Sequence, residues 1–211
     1  MAEAKICGVT TTEALDAALE GGARFVGLVV HPRSPRHLSR DKLAALADRA
    51  RGHAEIVVVT VNADDELLSA VAHHARPDWL QLHGDEPPAL VAQARQYAKH
   101  GVIKAIGVAR GADLVHAAAY EPVAEMLMFD AKPPLGALPG GNAAAFDWTL
   151  LAGRSFSRPW LLAGGLTPEN VGEAIAASGA ALVDVSSGVE SAPGLKDPGK
   201  IARFLAALRS A

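Results

Sequence analysis

The strongest constraint on this chain is an alternation of two residue patterns along its whole length. Ala4 to Cys7, Phe25 to Val30, Ile56 to Val61 and Trp79 to Leu82 are short apolar or β-branched runs. Val102 to Val108, Glu125 to Phe129, Trp160 to Ala163 and Leu182 to Val185 repeat the pattern. Such runs, bounded by turn residues, predict strands, and a continuous one such as Phe25 to Val30 suits a parallel sheet buried on both faces. Between them lie stretches with helical spacing: Thr12 to Glu20, Ser39 through Ala50, Asp64 to His74, Pro87 or Pro88 to Ala98, and Ala112 to Ala119. Start signals accompany several of them. Thr10-Thr11-Thr12-Glu13 offers a threonine cap with a glutamate three positions on, and Ser39 is a cap for the second helix. Thr167-Pro168 and Asp197-Pro198 pair a cap with proline at the first helical position, the latter opening a helix through Leu208. Asp147 to Leu151 reads as a short helix, and Ala131 to Phe146 as a long loop rich in proline, glycine and alanine.

Eight βα units in 211 residues give a mean spacing of roughly 26 residues, compact for a closed barrel but within its range. An open doubly wound sheet rarely needs so many equal units in so short a chain, and a solenoid would repeat its sequence at a fixed period, which this chain does not. The expected fold is therefore α/β: a single (β/α)8 barrel, the TIM-barrel architecture, over residues 1–211. Half of the residues are hydrophobic and a fifth are charged, enough apolar material for a large core. The net charge of −3 gives no electrostatic reason to expect nucleic acid or an anionic membrane as a partner. One cysteine excludes an internal disulfide and fits a reducing cytosol. Met1 to Lys5 lacks a signal-peptide pattern, and no apolar run approaches the ~20 residues of a membrane span. A soluble, cytoplasmic protein is the expectation.

In such a barrel the chemistry sits where strands end. Those positions hold Cys7, His31, Asn62, His83, Gly107, Asp130, Gly164 and Ser186. Cys7, after which Gly8 stops the first strand, is either a small buried hydrophobe or a reactive thiol. Asp130, closing the sixth strand, is either a loop cap or a proton donor. A thiolate and a carboxylic acid on opposite sides of one barrel mouth suit a proton-transfer isomerisation. Gly164-Gly165 and Ser186-Ser187-Gly188 stand at the ends of strands seven and eight, where barrels commonly bind phosphate through backbone N–H groups. Together they point to a phosphorylated small-molecule substrate. His83 lines the mouth beside Gly84, in a packing or hydrogen-bonding role. Adjacent His73 and His74 point to different helix faces and do not make a metal site, so no metal is expected. No G-x-G-x-x-G or G-x-x-x-x-G-K-[ST] motif is present.

These stretches together resemble the phosphoribosylanthranilate isomerase family of tryptophan biosynthesis, from Lys5 to Asp197. The resemblance rests on KICGVT at Lys5 to Thr10, SPRHLS at Ser34 to Ser39, QLHGDE at Gln81 to Glu86 and FDAK at Phe129 to Lys132. FDW at Phe146 to Trp148, LAGGLTPENV at Leu162 to Val171, and DVSSGVE with PGLKD near the end complete it. It implies an aldose–ketose isomerase that carries out an Amadori rearrangement of N-(5-phosphoribosyl)anthranilate, with neither metal nor organic cofactor, as a monomer or homodimer. It also implies that Cys7 is the general base, that Asp130 is the general acid, and that Arg36 contacts the anthranilate. Gly164, Gly165, Ser186, Ser187 and Gly188 match the family's phosphate site. Two positions depart from its pattern: Gly140-Gly141-Asn142-Ala143, where Gly-Gly-Thr-Gly or Gly-Gly-Ser-Gly is usual, and Thr11, where arginine or asparagine is common. The related aminoaldose isomerase of histidine biosynthesis runs the same rearrangement with two aspartates, and Cys7 argues against it. Indole-glycerol-phosphate synthase would bring a longer N-terminal segment and catalytic lysine and glutamate. A non-catalytic phosphosugar-binding protein would not need both Cys7 and Asp130.

Overall fold

A computed structural model describes residues 2–132 and 145–210. Eight parallel strands close into a barrel in chain order. They are β1 (Glu3–Cys7), β2 (Phe25–Val29), β3 (Glu55–Thr60), β4 (Trp79–Leu82), β5 (Gly101–Val108), β6 (Met126–Ala131), β7 (Trp160–Leu162) and β8 (Leu182–Val185). Closure comes from β1 pairing with β8, Lys5 lying opposite Asp184. Each predicted strand is present, with ends shifted by one residue at most, or by two at the end of β6, which runs on to Ala131. The usual helices intervene: α1 (Thr12–Glu20), α2 (Arg40–Ala50), α3 (Asp65–Ala75), α4 (Pro88–Ala94), α5 (Ala117–Tyr120), α6 (Val171–Ser178) and α7 (Pro198–Arg209). No helix among the described residues is long and apolar enough to cross a membrane. The departure at Gly140 to Ala143 lies outside the described residues.

The alternation of side chains along a strand divides the core in two. Phe25, Val29, Val57, Val59, Ile103, Ala105, Met126, Met128, Leu161 and Leu182 fill the barrel, and Cys7 joins them. Their neighbours, among them Ile6, Val26, Leu28, Val58, Leu80, Leu127 and Phe129, pack outward against the helices. Asp130 follows Met126 and Met128 at two-residue steps, so it shares their inward direction at the rim. Gln81 and His83 stand in the same phase on and after β4, and Lys5 and Asp184 on β1 and β8.

Local chemistry moved some helix ends away from expectation. The α1 cap is Thr11, whose side chain accepts from Ala14 N at 3.3 Å, one residue beyond the expected Thr10. Thr10 instead donates its hydroxyl to Gly194 O at 3.0 Å. The Thr167-Pro168 signal does not open α6, which begins at Val171. Asn170 accepts from Thr167 N at 2.8 Å and donates to Gly165 O at 2.9 Å, closing a separate turn on the chain's own backbone. The helix expected to run to Ala98 ends at Ala94 and tightens into a 3-10 turn, Arg95–Tyr97. The stretch expected as a helix from Ala112 is mostly 3-10, Gly111–His116, with Asp113 accepting from Ala109 N and Arg110 N. Trp148–Leu151 is likewise 3-10, capped by Asp147. After β8 the chain forms an unpredicted antiparallel hairpin, β9 (Glu190–Ala192) and β10 (Leu195–Lys196), which leans over the barrel mouth.

Candidate active site

Cys7 ends β1, 7% exposed, and faces Gly27 on β2. A Cβ on Gly27 would lie 2.9 Å from Cys7 Sγ and 3.1 Å from Lys5 Nζ, so this glycine makes the room that both groups occupy. Gly8 turns the chain out of the strand at φ +78°, and the N–H groups of Gly8 and Val9 both donate to Gly27 O. Lys5 is fully buried and donates to Asp184 Oδ1 at 2.8 Å. Burial pushes the Cys7 thiol up, and the Lys5 ammonium opposes that push by its charge and by a side-chain hydrogen bond. Burial would lower Lys5, but Asp184, helped by Cys7, holds it protonated well above the ordinary lysine range.

Across the mouth, Asp130 is 8% exposed and its carboxylate is held at both oxygens. Oδ1 accepts from Ala131 N at 2.8 Å, and Oδ2 meets His83 Nε2 at 3.1 Å. Gln81 Nε2 stands 2.7 Å from His83 Nδ1. His83 therefore bridges Gln81 and Asp130 through its two ring nitrogens. The Gln81–His83–Asp130 chain thereby fixes the orientation of the carboxyl group.

Arg36, in the loop after β2, is stacked above Gly8, where a Cβ would collide with its Cδ. Glu190 grips its guanidinium with two parallel hydrogen bonds, Nε to Oε1 at 2.7 Å and Nη2 to Oε2 at 2.8 Å. Lys196 donates to Glu190 Oε1 at 2.6 Å and to Ser186 O at 3.0 Å, and Lys200 donates to Glu190 O at 2.7 Å. Burial alone would raise Glu190, yet Arg36 and Lys196 hold it below its usual carboxylate value. Burial depresses Lys196 despite its partner Glu190. The hairpin thus supplies a rigid mount for Arg36 and for the Ser186 loop.

The two loops expected to hold phosphate are in contact. Gly164 and Gly165 both have positive φ, +87° and +67°. A Cβ on Gly164 would come within 2.7 Å of Ala131 N and 3.2 Å of Asp130 Oδ1, so the first loop lies against the end of β6. A Cβ on Gly188 would strike the Leu166 carbonyl oxygen, so the second loop lies against the first. Ser187 and Gly188 open a 3-10 turn, Ser187–Val189. Two abutting loops of glycine and serine at the ends of neighbouring strands place backbone N–H groups where an anion can be held.

Cys7, Arg36, His83, Asp130 and the two loops, all expected on this face, gather there. Lys5, Gln81, Asp184, Glu190 and Lys196 join them without having stood out in the sequence. The signal available for three of these was phase. Lys5, Gln81 and Asp184 are polar residues in otherwise apolar strands, each two positions before a residue already singled out.

Comparison with known proteins agrees with this geometry. A family model described as N-(5'-phosphoribosyl)anthranilate (PRA) isomerase matches residues 4–207. The chain belongs to this family. A phosphoribosylanthranilate isomerase of Paramagnetospirillum magneticum is 52% identical over 208 residues, covering 98% of this chain and 97% of the relative. Among solved structures, a phosphoribosylanthranilate isomerase in complex with reduced 1-(o-carboxyphenylamino)-1-deoxyribulose 5-phosphate superposes with a TM-score of 0.87 at 33% identity, both chains covered fully. Monomers generated from the dimeric isomerase of Thermotoga maritima give 0.86 at 34%, again over the full length of both chains. The chain is an isomerase of tryptophan biosynthesis, built as a (β/α)8 barrel.

Proposed function

We propose that this isomerase converts N-(5'-phosphoribosyl)anthranilate to 1-(2-carboxyphenylamino)-1-deoxyribulose 5-phosphate, with Cys7 as general base and Asp130 as general acid. The observation that carries the reading is that both groups end inward-facing strand positions on one barrel mouth, beside two contiguous glycine loops. Asp130 in its neutral form protonates the furanose ring oxygen, and the C1–O bond breaks to give an open-chain protonated Schiff base. The iminium acidifies the neighbouring C2–H. The Cys7 thiolate takes that proton, and the C–H electron pair becomes the C1–C2 double bond of an enol-amine. Tautomerisation then gives the ketone. Gly164-Gly165 and Ser186-Ser187-Gly188 hold the phosphate, while Arg36, steadied by Glu190, faces the anthranilate carboxylate. His83 orients Asp130. A reducing cytoplasm suits a base that must stay a free thiol.

The test is the loss of anthranilate fluorescence on turnover, measured for the wild type, Cys7→Ser and Asp130→Asn. Both substitutions are nearly isosteric, so fold and affinity for the reduced product analogue stay close to wild type. Turnover falls by about 10² to 10⁴ in each, the usual weight of a general acid or base. Near-normal turnover in Cys7→Ser would overturn the assignment and leave Cys7 as a packing residue.

A further inference from the structure

The barrel interior holds a charged pair that the rearrangement as written does not use. Lys5 and Cys7 lie two residues apart on β1, and so point to the same side of the sheet. Both reach the space left by Gly27, the Sγ and the Nζ standing 2.9 and 3.1 Å from the same point. Lys5 is fully buried, which an ammonium tolerates only with partners. Asp184 Oδ1, at 2.8 Å, takes one of its three N–H groups. The thiol of Cys7 borders the same space beside the ammonium. We infer that Lys5, anchored by Asp184, is a positioning residue that keeps a fixed positive charge beside Cys7 and so sustains its thiolate. The inference rests on the reading of Cys7 as the base.

The arrangement answers a specific difficulty. A thiol buried at a barrel rim is harder to ionise than one in water, and burial is the largest influence on Cys7. Lys5 is the largest influence in the opposite direction. The other charged groups acting on the thiol are Asp184 on β8, which disfavours the thiolate, and Lys196 on β10, which favours it more weakly. From β2 the group facing Cys7 is Gly27, which carries no charge. Asp184 nevertheless has a necessary part, because a lone buried lysine would surrender its proton and with it the useful charge. The alternative role for the pair is a strap that closes the barrel between β1 and β8, where Lys5 and Asp184 are register partners.

The chain has one cysteine, so alkylation by iodoacetamide reports on Cys7 alone. Its rate is measured against pH in the wild type and in Lys5→Gln, alongside the pH profile of kcat. Removing the positive charge moves the alkylation midpoint up by about one pH unit or more, roughly tenfold slower alkylation below the midpoint. The acidic limb of kcat moves up with it, and turnover recovers toward wild type at higher pH. A strap would lower kcat equally at every pH and leave the alkylation midpoint in place, and that result overturns the inference. If Lys5→Gln does not fold because Asp184 is left unpaired, Lys5→Gln combined with Asp184→Asn makes the pair neutral. The midpoint still moves up there, since Lys5 outweighs Asp184 at the thiol, and an unmoved midpoint again overturns the inference. Cys7→Ser separates the two possible failures. Near-normal turnover in it removes the base and the inference together, whereas an inactive Cys7→Ser beside an unmoved midpoint removes the inference alone.

Discussion

Two lysines are buried in the barrel strands, and they serve different ends. Lys5 on β1 is 0% exposed and Lys104 on β5 is 2% exposed. Lys104 alternates with the inward-facing Ile103 and Ala105, so it points out toward the helix layer. There its donors are taken up by protein: Gly84 O at 2.6 Å, Glu86 Oε2 at 2.7 Å and Leu82 O at 3.4 Å. Glu86 in turn accepts from Asn62 N and Gly84 N, and the Tyr120 ring lies 5.3 Å from the ammonium. This knot ties the ends of β3 and β4 to the middle of β5 and leaves nothing for a substrate. Lys5, one phase over, points into the barrel and shares its charge between one carboxylate and the thiol. Burying a charge is costly in both places. What differs is whether the charge faces only backbone and a counter-ion, or a group that reacts.

That contrast can be broken by experiment, and the largest effect is expected at Lys104. Lys104→Met leaves Glu86 charged and uncompensated in the interior, which costs about 3–5 kcal/mol. Denaturant unfolding measures this loss, and the molecules that remain folded keep most of their turnover. A folded Lys104→Met protein without activity would erase the distinction between the two lysines. Gly27→Ala presses on the other cluster. Its new methyl meets Cys7 Sγ and Lys5 Nζ at distances tighter than ordinary packing. Overpacking costs about 1–3 kcal/mol of stability, while displacement of the base lowers turnover by about 10²-fold. Loss of stability with turnover unchanged would show that the space at Gly27 serves packing only.

The smallest effect sharpens the comparison at Glu190, which is structural in its bonds yet borders the site. Its folded pKa is depressed, so its contribution to stability is present above the unfolded value of about 4.3 and is lost as pH falls through the folded value. Glu190→Gln lacks that contribution. Melting temperatures of wild type and variant should therefore differ at neutral pH and converge in acid. A gap independent of pH would mean that shape, rather than charge, makes the Glu190 mount for Arg36 and Lys196.

Much of this protein is local in origin, and that part was legible in its sequence. Apolar runs of the right length, spaced by capped helical stretches, lead to eight parallel strands, because a strand buried on both faces must be apolar throughout. The strand ends then locate Cys7, Asp130 and the glycine loops, since a parallel barrel places all its strand termini on one face. Other features depend on partners far along the chain. Lys5 meets Asp184 across 179 residues and Arg36 meets Glu190 across 154, and only barrel closure and the hairpin bring them together. The start of α6 at Val171 has the same kind of origin at shorter range, because the Asn170 side chain folds back to accept from Thr167 N and to donate to Gly165 O, and so holds Thr167-Pro168 in a turn ahead of the helix. Residue type and spacing by themselves determined the barrel and the rim where chemistry belongs. The tertiary structure decided which buried charge faces the thiol and which merely holds strands together, because the energy of a buried charge depends on what lies within a few ångströms of it, whatever its position in the chain.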